Sequence, residues 1–350
     1  MDFLNKTHHA AEMLRASSAR SPQHMLACVI ARATCRLVDG ELIPAEPWPI
    51  GPAPVATPLG LTLGDKPFYS GGIDVLVGGE VRQPGGVARE RLDVEIEVGR
   101  TFRRRIAVVG DRTWRRNDQG ALVITAPKPF LTMPLAYERA FGGHAPTDHG
   151  LEMPYTDNPQ GRGFYLDEAS AEGQPLPNLE DPRHLIQTVR DMPEPVGLGY
   201  YPAEGSLRAR SAVNHPVTAR LGAGVPSAEA QRPLDPDDIL PTLFNMAHPR
   251  MVIEPGKGPA PGDGVRLSHG MRDGDLAFEM PDLRMHVHVQ LEDRESTFPM
   301  HLDQVGLVGG AGRVFFSLRC VVEYPTRKGE RRAITLHPGP MPTLHDWAIV

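Results

Sequence analysis

Residues 92–98 read Leu-Asp-Val-Glu-Ile-Glu-Val, with an aliphatic at every second position and a carboxylate between each pair. Side chains of a strand alternate between its two faces, so this spacing predicts a half-buried β-strand. Further strands are predicted over 26–37, 74–77, 106–109 and 121–125, short runs rich in β-branched residues and bounded by Gly, Asp or Asn. Asp39-Gly40 marks a hairpin tip that pairs the first of these with 41–44. Near residue 250 the strand pattern returns. Residues 265–267 and 276–280 flank Asp273-Gly274, and Leu283, Met285, Val287, Val289 and Leu291 alternate with polar residues. Strands over 304–308 and 313–323 surround the turn Gly309-Gly310-Ala311-Gly312.

Between these ends the pattern lapses. Twelve prolines from Pro127 to Pro202 interrupt any sustained period, and long strands do not run through such punctuation. Short helical turns are predicted at 135–141, 182–190 and 236–244. The expected fold class is therefore mainly β: two antiparallel, sandwich-like units, 1–126 and 250–350, joined by a Pro/Gly-rich region over 127–249.

Composition agrees with a loop-rich folded protein. Gly and Pro number 36 each among 350 residues, with 40% apolar positions, which lies between average usage and the range of aperiodic disorder. The formal net charge is −6, so no overall cationic field favours nucleic acid or anionic lipid. The longest apolar run covers seven residues from Met25 to Ala31, against roughly 20 for a membrane-spanning helix. The N-terminus lacks the basic flank and apolar stretch of a secretory signal, so a cytoplasmic location is expected. Cys28, Cys35 and Cys320 form no CxxC pair and are expected to be reduced and mostly buried.

Candidate chemistry is sparse. His286 and His288 share one strand face, the spacing of paired metal ligands, with His301 or Asp303 as a third donor. His144, Asp148, His149, Glu152 and Asp157 crowd into fourteen residues and offer imidazole and carboxylate groups. Either group would suit a metal-dependent or acid/base hydrolase, though polar loops and strand faces carry such residues for solubility alone. Neither a GxSxG elbow nor a GxxxxGK[ST] loop occurs, so no nucleophile or phosphate cradle announces itself. The run Arg100-Thr-Phe-Arg-Arg-Arg, with Arg112, Arg115 and Arg116, is the strongest cationic cluster. It suits ion pairing with Glu95 and Glu97, or contact with an acidic protein segment.

The segment Pro129-Phe130-Leu131-Thr132-Met133-Pro134-Leu135-Ala136-Tyr137-Glu138-Arg139-Ala140-Phe141-Gly142-Gly143 has the form PFxxMPLxYExAFGG. It is preceded by Gly110-Asp111-Arg112-Thr113-Trp114 and followed by Asn158-Pro159-Gln160-Gly161-Arg162-Gly163-Phe164 and Leu176-Pro177-Asn178-Leu179-Glu180-Asp181-Pro182. These four ordered pieces resemble a bacterial domain-of-unknown-function family whose genes accompany type VI secretion clusters. The resemblance implies a non-enzymatic, cofactor-free cytoplasmic adaptor or chaperone. Its partners would be a secreted effector and a spike component, a valine-glycine-repeat or PAAR-repeat protein. The chain departs from the family pattern after Gly197-Leu198-Gly199, where Tyr200-Tyr201-Pro202 and residues 206–214 replace an aromatic-rich continuation.

The motif also reads from its residues. Gly142 and Gly143 permit positive φ, Asn158-Pro159 starts a turn, and Glu138 can pair with Arg139, all serving to fix a loop. Alternatively Tyr137, Arg139 and Phe141 are an interface hot spot. The candidate partner-binding set is Tyr137, Glu138, Arg139, Phe141, Gly142, Gly143, Asn158, Arg162 and Phe164, with strand addition at an exposed sheet edge as a second mode.

Overall fold

The longest strand, His24–Val38, sets the layout. The structure is a computed structural model and describes residues 1–18, 23–147, 149–202, 244–292, 294–326 and 332–341. In the main eight-stranded sheet the order is Thr132–Pro134, Ile73–Arg82, His301–Gly309, Arg313–Pro325, His24–Val38, Ala10–Ser17, with Val252–Ile253 and Glu41–Pro44 paired at the side. Along His24–Val38, Ala27, Val29 and Ala31 share a face with Ala33 and Leu37, because they differ by even steps. At ~3.3 Å per residue the strand runs about 50 Å, room for two smaller sheets side by side.

One end of that face carries a five-stranded sheet, ordered Leu179–Glu180, Phe102–Val109, Arg91–Val98, Gly264–Met271, Gly274–Glu279. It buries Val94, Ile96, Ile106 and Leu267 against Ala33, Val314 and Phe316. The other end carries a four-stranded sheet, ordered Asp2–Asn5, Arg332–Pro338, Met285–Leu291, Arg294–Pro299. That sheet buries Val287, Val289, Ile334 and Leu336 against Ala27, Val29, Leu318 and Cys320. Each fully buried aliphatic contributes about 1.5–3 kcal/mol by leaving water.

The fold is mainly β and sandwich-like, as the alternation predicts. Its connectivity is not that of two antiparallel units. His24–Val38 pairs with Arg313–Pro325 along its length, and Ile73–Arg82 runs parallel to His301–Gly309. Strands from 1–126, 127–249 and 250–350 thus stand side by side in the main sheet, where the two ends of the chain interleave. Asp39-Gly40 does form the hairpin tip, both residues at positive φ, and Val38 pairs with Glu41. A 3₁₀ turn spans Tyr137–Arg139.

No helix forms over 182–190. Side-chain carboxylates take the amide protons that a helix would use: Glu180 Oε2 accepts from Ile186 N–H at 2.7 Å, and Asp191 Oδ2 accepts from Gln187 and Thr188 at 2.9 and 2.8 Å. Such local side-chain acceptors compete with helix formation. The helix predicted over 236–244 lies outside the described residues except for Phe244, as does segment 206–214.

The opposite face of the long strands holds a buried polar network. Arg32 pairs with Asp65 at 2.9 Å, and Arg319 with Asp303 at 2.9 Å, all four nearly inaccessible to solvent. Arg319 also donates to the carbonyls of Lys66 and Phe68, which pins the loop that precedes Ile73–Arg82. Beside this pair, fully buried Asp74 accepts from Asn245 Nδ2 and Met246 N–H, each at 2.8 Å.

Burial raises the Asp74 pKa from 3.8 to about 6, outweighing the donors from Met246 and Asn245 that favour its charge. Between those values the folded protein holds a proton that the unfolded chain has lost. The stability from this group is therefore complete below pH ~4 and falls as pH rises through ~6, with a slope of at most about 1.4 kcal/mol per unit. Histidines with lowered pKa, such as His337, give the opposite slope in part of that window. Denaturant titrations of the wild type and Asp74→Asn from pH 4 to 8 isolate the term: the difference between the two curves is expected to change across this range, and a constant difference would refute the assignment.

Candidate functional site

The four motif pieces meet in one hydrogen-bonded block. Its pivot is Asn158, with no exposed surface. Its Nδ2 donates to the carbonyls of Tyr137 and Phe141 at 2.9 and 3.0 Å, while its own carbonyl accepts from Gly143 and Gly161. Phe141–Gly142 and Arg162–Gly163 then pair as parallel strands. Gly142 is at φ 146 and Gly143 at φ 102, and a Cβ at Gly142 would fall on the Asn158 carbonyl oxygen. The glycines serve close approach as well as positive φ.

A second set of contacts ties this block to the five-stranded sheet. Asn178 Nδ2 donates to Val109 O at 2.9 Å and to Asp111 Oδ1 at 3.1 Å. Arg139 Nη1 donates to Asn178 Oδ1 at 2.9 Å and meets Asp111 at 3.3 Å. Buried Glu180 pairs with Arg112. Glu138 therefore does not hold Arg139 as expected; adjacent residues point apart, and Arg139 takes partners far along the chain instead.

Burial sorts the candidate partner-binding residues. Tyr137, Phe141, Gly142, Gly143, Asn158 and Phe164 lie inside. Tyr137 Oη accepts from Leu198 N–H at 3.1 Å, and Phe141 packs edge-on against Tyr155 at 4.9 Å between ring centroids. Glu138 is exposed, and Arg139 and Arg162 are half-buried. Arg162 Nε donates to Glu138 O at 2.8 Å. The aromatic members thus hold the block together, and Glu138, Arg139 and Arg162 are what a partner can touch.

Among the described residues the histidine groups do not converge on a metal-binding arrangement. His144, His149 and Glu152 are exposed on or beside the small hairpin His144–Pro146/Glu152–Pro154, and Asp148 lies outside the described residues. His286 and His288 do share a face. Their neighbour there is His337, stacked on His286 at 5.1 Å with ring planes 3° apart, while Asp303 is buried in another sheet with Arg319 and His301 edges onto Tyr69 at 6.2 Å. Among the described residues no group of three His, Cys, Asp or Glu could hold a metal ion. Cys28 and Cys320 are buried and free, and Cys35 is free and partly buried. Burial pushes the Cys28 thiol up to about 12, which leaves no thiolate for nucleophilic work at neutral pH.

The arginine run resolves by strand geometry. Arg103 and Arg105 project to the outer face, where they pair with Glu97 and Glu95 on the neighbouring strand. Arg104 projects to the other side, with Phe102 and Ile106, and its guanidinium sits 4.7 Å over the Phe102 ring. It donates to the carbonyls of Arg250 and Arg103 at 2.6 and 2.8 Å. Among the described residues no carboxylate pairs with it. Burial, then Arg183 and Arg250 nearby, lower its pKa. Those two share Asp181, whose carboxyl the Arg183 hydrogen bonds hold down at about 2. Arg250 also reaches Glu194 at 2.7 Å.

These residues wall a cleft of about 970 Å³ between Phe102–Val109 and residues 181–183, 196–197 and 250–251. Asp181-Pro182, the end of the last motif piece, forms one side. Sequence alone does not single out Arg104 from its run, because only the pairing of Arg103 and Arg105 across the strand leaves it apart.

A family model described as an uncharacterized protein conserved in bacteria (DUF2169) matches residues 23–319. No curated protein and no solved structure matches the chain. No helix among the described residues is long and apolar enough to cross a membrane.

Proposed function

The chain belongs to the bacterial DUF2169 family, and we propose that it is a non-enzymatic adaptor or chaperone. In this reading it binds a type VI secretion effector in the donor cytoplasm and helps load it onto the spike, through a valine-glycine-repeat or PAAR-repeat protein. What carries the reading is the use made of the motif residues. Asn158, Asn178, Glu180, Gly142 and Tyr137 are spent on a rigid interior frame, which positions a surface and leaves Glu138, Arg139 and Arg162 on it. A preorganised surface of this kind lowers the ordering cost of binding a partner.

The test is co-expression of the tagged full chain with the products of the genes that flank its own. A toxic effector and a spike component are expected to co-purify, and deletion of the gene is expected to stop delivery of that effector while leaving its synthesis intact. Delivery that continues unchanged without the protein would overturn the reading.

A further inference from the structure

Strand Phe102–Val109 has one neighbour along its whole length, Arg91–Val98. On its other edge Leu179–Glu180 covers only Val108 and Ala107. Val109 N–H points to that side, since it donates to Asn178 O at 2.7 Å, whereas Gly110 N–H points back toward Glu90. Backbone groups of alternate residues face the same edge, so Arg103 and Arg105 continue the ladder toward the cleft. Among the described residues no strand takes that stretch of edge. The Arg103 carbonyl is met by the Arg104 guanidinium, and the rest of the edge opens on the cleft where Arg104 stands beside Arg183 and Arg250.

We propose that this cleft is a docking site for an extended, acidic segment of a partner protein, which adds a strand to the open edge of Phe102–Val109 and sets a carboxylate against Arg104. The proposal rests on the adaptor reading for the source of the segment.

Two observations select this occupant. An unpaired edge offers N–H and C=O groups that only another backbone matches in register, which disfavours a free small anion. The arginines on that edge repel basic strands and favour an acidic one, and a guanidinium binds a carboxylate through parallel N–H···O bonds. Nucleic acid fits less well. Phosphates and bases do not match the N–H and C=O groups of the open edge in register, and among the described residues lining the cleft only His269 has a ring on which a base could stack.

The full chain should be titrated with fluorescein-labelled hexaglutamate, with hexaglutamine, citrate and an oligothymidylate of equal length as comparators. Hexaglutamate is expected to bind, less tightly as salt rises, with hexaglutamine and citrate at least tenfold weaker. Arg104→Ala is expected to weaken the peptide by about 10- to 100-fold, the loss of one charge-assisted contact. Arg115→Ala, which removes an equal charge from an exposed site outside the cleft, should leave binding within about twofold. Arg104→Lys keeps the charge, guards against misfolding when its melting curve matches the wild type, and should restore only part of the affinity. Methylating alternate backbone nitrogens of the peptide should weaken it further.

Equal losses in Arg104→Ala and Arg115→Ala, tighter binding of the oligonucleotide, or indifference to N-methylation would each overturn the proposal. The adaptor reading fails separately. Loss of effector delivery with peptide binding intact speaks only to the adaptor, while an effector complex that survives Arg104→Ala unweakened removes the cleft and leaves the adaptor standing.

Discussion

Arg319→Ala is expected to cost about 3–5 kcal/mol of stability, a large share of what a typical domain possesses. The side chain is 3% exposed and its carboxylate partner Asp303 is 5% exposed. Removing the guanidinium strands Asp303 in a medium where an unpaired charge is costly, and frees the carbonyls of Lys66 and Phe68 from their donor. Asp65 keeps Arg32, so the damage centres on Asp303. Urea denaturation measures the shift in midpoint, with the slope checked for two-state behaviour. The double variant Arg319→Met with Asp303→Leu is expected to recover most of the loss, because replacing both members of a buried pair by apolar groups is often near neutral. A loss under 1 kcal/mol in Arg319→Ala would mean that water reaches Asp303.

Gly142→Ala is expected to cost about 2–6 kcal/mol, from two sources that a second glycine separates. At φ 146 an alanine is strained, and its Cβ would occupy the space of the Asn158 carbonyl oxygen. Gly150 also has positive φ, at 73, but nothing lies within 4 Å of a Cβ there. Gly150→Ala should therefore cost only about 1 kcal/mol, the conformational part alone. If both variants lose the same amount, close approach at Gly142 contributes nothing and the Asn158 frame is looser than described.

Parts of this fold were legible because their signals are local. The alternation over 92–98 reports one buried face whatever the partner, and its burial pattern alternates as expected. Asp39-Gly40 specifies a two-residue turn by backbone preference alone. The pairing of Ile73–Arg82 with His301–Gly309 leaves no such trace, since parallel register is set by packing between distant segments. The same limit applies to the site. Tyr137 and Phe141 read equally well as hot-spot aromatics or as core, and only the layer above them decides. Arg104 looked equivalent to Arg103 and Arg105 until Glu97 and Glu95 claimed its neighbours.

The interleaving of the two chain ends has a consequence for biogenesis. Met25 lies opposite Tyr324, about 300 residues later, so His24–Val38 lacks that neighbour until residues 313–325 have left the ribosome. Until then the nascent chain carries an apolar strand with an open edge, the kind of surface that invites aggregation or holdase chaperones. Pairing segments so far apart in sequence slows folding relative to a fold built from local contacts. A chain that ends before residue 313 leaves the main sheet open at its centre.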